Sequence, residues 1–258
     1  MAKTLVVVPT HNEADNIATL LAGLITHVPD ADVVVVDDVS TDSTRSIIRA
    51  IATAHPNVRL VERGERLGLG SAYIHGFGLA LAEGYDLVVE IDADLSHDPA
   101  ALPAMLAIAG LGFSVVIGSR YVPGGSIVGW PRHRLWLSRW GNRYAAIMLG
   151  LAINDATAGY RVYRAEALRA IGIDNVQASG YGFQIEMTYR AVKLGLSVVE
   201  VPIKFRNRVA GVSQLGKNIV FEAFKVVTYW GLADLVSLRR RHRAYSGTAS
   251  ISPQNVSS

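Results

Sequence analysis

Five short runs rich in valine and isoleucine punctuate the first half of the chain: Leu5–Val8, Val33–Val36, Val58–Val61, Leu87–Ile91 and Val115–Ile117. Each is too brief for a buried helix and is bounded by turn-forming residues, so each reads as a buried strand. Between them, apolar residues recur at helical spacing, as at Ile17, Leu20, Leu21 and Leu24, or Ile47, Ile48 and Ile51. Strand–helix alternation predicts βαβ units and a mostly parallel sheet with helices on both faces. Ligands of such α/β sheets bind at the carboxyl ends of the strands. The polar residues at those ends are therefore the candidates for chemistry.

Four strand ends carry them: Pro9-Thr10-His11-Asn12-Glu13, Asp37-Asp38, Asp92-Ala93-Asp94 and Ser119-Arg120-Tyr121. Asp92 and Asp94 lie two apart. On a strand that spacing aims both carboxylates to one side, where hard oxygen ligands suit Mg²⁺ or Mn²⁺ together with substrate phosphates. A lone D-x-D is as readily a solvated turn, and Asn12, Ser40 or Thr41 could simply cap the following helices. Four polar ends on one sheet edge favour a site. A dinucleotide fold would need G-x-G-x-x-G after the first strand, where Thr10-His11-Asn12-Glu13 stands, and no P-loop occurs. Gly68 and Gly70 read as a tight turn into a helix beginning near Ser71.

With 258 residues, half of them hydrophobic, the chain has ample length for a core. It contains no cysteine, which excludes disulfides and Cys-ligated metal. The apolar run after Met1-Ala2-Lys3-Thr4 is too short for a secretory signal, and no run is long enough for a spanning helix. The net charge of +3 is unevenly placed. Arg132, Arg134, Arg139 and Arg143 fall in one acid-free stretch, and Arg239, Arg240, Arg241 and Arg243 in another. Trp130, Trp136, Trp140 and Trp230 lie in or beside these stretches. Tryptophan with arginine suits an anionic membrane surface. Nucleic acid is the competing partner for a basic patch, but no nucleic-acid motif accompanies it.

In the second half, residues 132–150 read as an amphipathic helix, Asp155–Arg164 as a polar loop entering a short strand, Gly182–Leu194 as a helix and Val198–Phe205 as a strand. Lys217–Leu238 reads as a long helix, either packed on the domain or lying in the lipid interface. The Ser-rich segment Ala244–Ser258 reads as a disordered tail.

In one order, these motifs are joined by Ser119-Arg120-Tyr121-Val122-Pro123-Gly124-Gly125, Trp130-Pro131, Asp155-Ala156-Thr157-Ala158-Gly159-Tyr160-Arg161, Gly180-Tyr181-Gly182-Phe183-Gln184-Ile185-Glu186, Glu200-Val201-Pro202-Ile203 and Arg208-Val209-Ala210-Gly211-Val212-Ser213. The whole resembles the GT-A glycosyltransferases of family 2, and within them the dolichol- or polyprenol-phosphate mannose synthases, above all the actinobacterial ones. The resemblance implies a Rossmann-like GT-A domain over residues 1–243 with interfacial amphipathic helices near 130–150 and 217–238. It implies transfer of mannose from GDP-mannose to a polyprenyl or dolichyl monophosphate, with inversion. The enzyme would sit peripherally on the cytoplasmic face of the membrane, and a membrane-spanning partner protein is compatible with the resemblance.

Carried over by position, Pro9, His11, Glu13, Val36 and Asp38 line the guanosine pocket, and Asp92, Ala93 and Asp94 meet the diphosphate. Asp92 and Asp94 hold Mg²⁺ or Mn²⁺. Arg120, Arg134 and Ser138 bind the acceptor phosphate, and Arg208 contacts the donor diphosphate. The catalytic residues implied are Asp94, Arg120 and Arg208. Three positions depart from the family pattern. His11 replaces a Tyr and adds a titratable ring. Ser96 replaces a Gln found near the metal in some members. Gln214 replaces a Lys that serves the donor phosphates, which weakens that contact or points to another donor, such as UDP-glucose or a UDP-N-acetylhexosamine. A lipid-phosphate-binding scaffold and a nucleotidyltransferase are the rival functions. Intact Asp92, Asp94, Arg120 and Arg208 speak against the first, and the lack of a Gly-rich basic loop after the first strand against the second.

Overall fold

The computed structural model describes residues 2–176, 178, 180–207 and 224–235. Its centre is a seven-stranded sheet in the order β3-β2-β1-β4-β7-β5-β8. The strands are β1 (Thr4–Thr10), β2 (Asp32–Asp37), β3 (Val58–Glu62), β4 (Leu87–Glu90), β5 (Val115–Ser119), β7 (Arg161–Arg164) and β8 (Val198–Pro202). All neighbours pair in parallel except β7, which runs antiparallel between β4 and β5. The reversal has a consequence for the site. The loop that leads into β7 arrives at the edge where β4 and β5 end, so residues 155–160 join the carboxyl-end cluster.

The five expected strands are all present, each within about two residues of its sequence limits. Alternate residues of each serve opposite faces. Leu5 and Val7 pack with Val34, Val36, Tyr73 and Phe77, whereas Val6, Val8, Val33 and Val35 pack with Ile17, Leu20, Leu21 and Leu24. The first face is covered by α3 (Leu69–Ala82), α6 (Ala165–Ile171) and α7 (Tyr181–Lys193). The second is covered by α1 (Ile17–His27), α2 (Thr44–Ala54) and α4 (Leu102–Gly110). Burial on both faces is why these strands read as continuous apolar runs. Gly76 lets α3 lie directly on β1, because a Cβ there would sit 2.3 Å from Val7 Cγ1.

The segment Val198–Phe205, expected as one strand, is two. It breaks at Ile203, whose side chain is buried in the core, and β9 (Lys204–Arg206) then pairs with β6 (Ser126–Val128) in a separate parallel ribbon. The amphipathic helix is α5 (Arg132–Leu149). Residues 224–235 are helical, and the rest of the expected helix 217–238 lies outside the described residues, as does the tail 244–258. The helix 224–235 packs on the domain through the Tyr144–Thr228 hydroxyl contact at 2.7 Å, a Tyr189–Trp230 ring stack and an Asp234–Lys193 ion pair. Its other face leaves Tyr229, Leu232 and Leu235 exposed. Among the described residues, no helix is long and apolar enough to cross a membrane.

Asp37, expected to face the site, closes β2 from inside. It is fully buried and accepts hydrogen bonds from the Ser40 N–H and hydroxyl, the Thr10 hydroxyl and Arg45 Nε. Burial pushes its carboxyl up, but these donors outweigh burial and hold it below the usual carboxylate range. A carboxyl depressed in the fold contributes stability that is fully present above its unfolded value and lost as pH falls through the folded one. Asp37→Ala is therefore expected to cost about 3 kcal/mol at neutral pH. It should also flatten the loss of stability below about pH 4, which urea melts across pH 3–7 would reveal. An unchanged acid slope would contradict this role.

Candidate active site

The carboxyl ends of β1, β2, β4 and β5 border one cleft of about 380 Å³. Loops of unusual backbone form its rim. Asn12, Val39 and Leu95, which follow β1, β2 and β4, are the three non-glycine described residues with left-handed φ, between 57° and 59°. Each costs roughly 1 kcal/mol or more and persists only where surrounding contacts impose it. Asn12 is held in this way rather than capping a helix. Its N–H donates to the Ser40 hydroxyl, and its side-chain oxygen accepts from the Thr41 N–H. Ser40 and Thr41 thus tie the first loop to the second. The residue preceding α1 is Asn16 and that preceding α2 is Ser43.

At one end of the cleft stand Pro9, His11, Glu13 and Asp38. His11 Nδ1 lies 2.6 Å from the Asp38 carbonyl oxygen. A carbonyl can only accept, so Nδ1 carries the hydrogen. The Asp38 carboxylate is fixed by Arg63 at 2.8 Å and by the Gly68 N–H at 2.9 Å. Val36 does not belong to this group. The alternation of β2 turns it into the core under α3, and it is fully buried there.

At mid-cleft are Asp92, Ala93 and Asp94. Strand β4 ends at Glu90, so the two carboxylates sit on a turn beyond it and not on the strand itself. The Tyr73 hydroxyl, from α3, donates to Asp92 Oδ1 at 2.8 Å, and the Ser96 N–H donates to Asp94 Oδ1 at 3.0 Å. Burial raises the Tyr73 phenol well above its ordinary value, so it remains a donor. The Ser96 hydroxyl lines the cleft and is buried without a hydrogen-bond partner. His97 packs between Tyr160 and Phe205 with Nε2 4.0 Å from Asp92. Burial holds its imidazole down at about 4, so it is neutral beside that carboxylate at pH 7.

A divalent cation fits this set. Asp92 and Asp94 each have one oxygen anchored by a neighbouring donor, and Ser96 adds an orphaned polar atom. Among the described residues, no cluster of three or more His, Asp or Glu could enclose a metal alone. A cation held by these carboxylates would take its remaining ligands from water and a bound phosphate, which is how Mg²⁺ is usually held.

At the other end lie Arg120, Trp130 and Arg134. Arg120 is locked by Asp155: its Nε and Nη2 donate to the carboxylate at 2.7 and 2.6 Å, and its backbone N–H does so at 2.9 Å. Nη2 also reaches the Thr157 hydroxyl at 2.8 Å. Asp155 is fully buried and held from behind by Glu200. Arg134 stacks on Trp130 with Cζ 4.1 Å from the ring centre. Trp130 Nε1 and Arg134 Nε are buried donors without partners. Ser138 is placed beside them, accepting from the Tyr121 hydroxyl at 2.7 Å. Here the cleft opens into an apolar groove of about 160 Å³ between α5 and residues 224–235, walled by Leu137, Trp140, Tyr144, Ile185, Phe224 and Val227. Arg208 and Gln214 lie outside the described residues.

The structure brings Pro9, His11, Glu13, Asp38, Asp92–Asp94, Arg120 and Arg134 to one cleft, Ser138 to the adjoining groove, and Val36 to the core. Asp155, Thr157 and Gln184 stood inside recognisable motifs without a role assigned, and Trp130, read with the tryptophans that suit a membrane surface, lines the cleft. Tyr73 gave no signal, because an aromatic residue on an apolar helix reads as core.

A sequence model of glycosyl transferase family 2 matches residues 5–172. The undecaprenyl-phosphate mannosyltransferase of Micrococcus luteus is 47% identical over 231 residues, which cover 90% of this chain and 95% of that protein. The polyprenol monophosphomannose synthase of Mycolicibacterium smegmatis is 44% identical over 232 residues, covering 89% and 87%. Among solved structures, glucosyl-3-phosphoglycerate synthase of Mycobacterium tuberculosis, in complex with Mn²⁺, UDP-glucose and phosphoglyceric acid, superposes with a TM-score of 0.68 at 21% identity, covering 89% of this chain and 80% of that one. That likeness is one of fold.

Proposed function

The chain belongs to glycosyl transferase family 2, and from that premise we propose that it moves mannose from GDP-mannose to a polyprenyl monophosphate at a membrane surface. The observation that carries the reading is the order of features along one sheet edge. A pocket at β1 and β2 suits a nucleoside, the carboxylate pair after β4 suits a metal-bound diphosphate, and the arginines after β5 and on α5 suit a second phosphate. An apolar groove then leads away from that second phosphate position. A soluble acceptor would have no use for the groove; a prenyl chain would.

In this reading Asp92 and Asp94 hold Mg²⁺ or Mn²⁺, which when bound neutralises charge on the departing diphosphate. Arg134 and Trp130 Nε1 supply donors to the acceptor phosphate, and Asp155 keeps the Arg120 guanidinium oriented beside them. Fixed donors in a buried site counter the repulsion between two polyanions and hold the acceptor oxygen in line with the sugar C1. A phosphate monoester is mostly dianionic at neutral pH, its second pKa being about 6. No general base is needed to make the nucleophile. The acceptor oxygen bonds to C1 as the bond from C1 to the diphosphate breaks, GDP departs and the anomeric centre inverts.

The lipid acceptor requires a membrane surface, and the cytoplasmic face is where a nucleotide sugar is at hand. On α5, Trp136, Leu137, Trp140 and Ile147 are exposed, and Trp140 stacks with Phe224 to join the exposed face of residues 224–235. This apolar, arginine-bordered surface suits peripheral binding, with or without a membrane-spanning partner. Replacing Trp136 and Trp140 together by alanine is expected to weaken binding to anionic vesicles about tenfold or more with little change in GDP affinity. Undiminished co-sedimentation would remove the membrane role of α5. The function itself is tested by offering labelled GDP-mannose, UDP-glucose and UDP-N-acetylhexosamine with a polyprenyl phosphate. Label in the organic phase from GDP-mannose alone is expected. Label from a UDP-sugar alone would move the activity to another donor.

A further inference from the structure

One buried polar atom in the cleft has no task in the scheme above. Gln184 lies on the first turn of α7, is 3% exposed and lines the cleft. Its Nε2 donates to Glu90 Oε1, while its Oε1 is buried with no hydrogen-bond partner. Glu90 is fully buried at the end of β4 and is itself held by the Tyr163 hydroxyl at 3.4 Å. Burial pushes the Glu90 carboxyl up to about 7, and in its ionised form this anchor fixes the amide, since the reverse orientation would set two oxygens against each other. A buried carbonyl left unpaired is costly, and the side chain that carries it adjoins space kept open by Gly159. A Cβ on Gly159 would lie 3.2 Å from Asp92 Oδ2 and 3.6 Å from Gln184 Nε2.

The sheet order says what occupies that space. Gly159 precedes β7, which lies between β4 and β5. Gln184 therefore lines the cleft beside Asp92, one of the carboxylates assigned to the donor diphosphate, in the same cavity as the Arg120 assigned to the acceptor phosphate. The transferred sugar must lie between those two phosphates, because its C1 is bonded to one and attacked by the other. An amide carbonyl can only accept a hydrogen bond, so it repels phosphate oxygens and suits a hydroxyl. We propose that Gln184 is a specificity-determining residue whose side-chain carbonyl accepts a hydrogen bond from a hydroxyl of the hexose being transferred. The proposal rests on the reading of the cleft as a nucleotide-sugar site.

The test compares wild type with Gln184→Met, which keeps the side chain's length and removes the carbonyl. Gln184→Asn, which draws the carbonyl back by one methylene, is the second variant should the first fail to fold. GDP affinity in the presence of Mg²⁺ is measured alongside kcat/KM for GDP-mannose and for analogues that each lack one hydroxyl. GDP affinity is expected to stay within about twofold, while kcat/KM for GDP-mannose falls about 10- to 100-fold. One deoxy analogue, poorly used by wild type, should be used by the variant as well as GDP-mannose itself. If the variant ranks all analogues as wild type does, the carbonyl does not read the sugar. If Mg²⁺-dependent GDP binding falls as far as turnover, the carbonyl serves the metal, and the proposal is equally overturned. If wild type transfers nothing from GDP-mannose, the underlying reading fails first and takes this proposal with it.

Discussion

Asp94→Ala is expected to lower mannose transfer to polyprenyl phosphate by about a thousandfold or more while leaving the protein folded. The carboxylate is buried, lines the cleft and spends one oxygen on the Ser96 N–H. Its removal from the fold forfeits that hydrogen bond, worth about 1 kcal/mol, among its local contacts. Its removal from the site takes away one of the two carboxylates proposed to hold the diphosphate-bound cation. Melting within a few degrees of wild type, with activity near background, is the expected pair of results. Activity above about a tenth of wild type, at saturating Mg²⁺ and donor, would show that the charge on the departing diphosphate is neutralised elsewhere.

Asp155→Ala should act in the opposite proportion, on stability as well as on turnover. The change leaves Arg120, whose side chain is 5% exposed, without the carboxylate that receives its Nε, Nη2 and backbone N–H. Stripping one partner from a buried ion pair typically costs about 3–5 kcal/mol, because the remaining charge stays buried. For a domain of this size that is a fall in Tm of roughly 10 °C. Turnover should fall too, since Arg120 loses the orientation that faces the acceptor. Asp155→Asn, which retains an accepting oxygen, is expected to fall between. A melting temperature unchanged in Asp155→Ala would contradict the account of how Arg120 is held.

The difference between these two aspartates marks what the sequence could and could not reveal. Asp92 and Asp94 announce themselves because they follow an apolar run in a spacing with chemical meaning. Asp155 stands in a polar loop, and its importance depends on β7 being inserted antiparallel between β4 and β5. Four residues, Arg161–Arg164, with arginine at both ends carry little periodic signal for such a strand. The parallel strands were legible because both of their faces are buried, whereas the break at Ile203 was hidden inside one uninterrupted extended-looking run. Val36 fails as a site residue for a reason that strand alternation supplies once α3 is known to cover that face. Tyr73 was illegible because it sits on a helix whose neighbours are core residues, and Gln184, though inside a recognisable motif, carried no role because only the folded structure brings it to the cleft.

In the proposed reaction a glycosyl bond to a nucleoside diphosphate is exchanged for one to a lipid phosphate. The most direct test incubates the purified protein with GDP-mannose, Mg²⁺ and undecaprenyl phosphate in vesicles, then identifies both products by mass. A lipid heavier by one hexose residue, with an equal amount of GDP in the aqueous phase, is the predicted result. Release of GMP with a lipid carrying hexose phosphate would place the broken bond within the diphosphate and contradict the assignment.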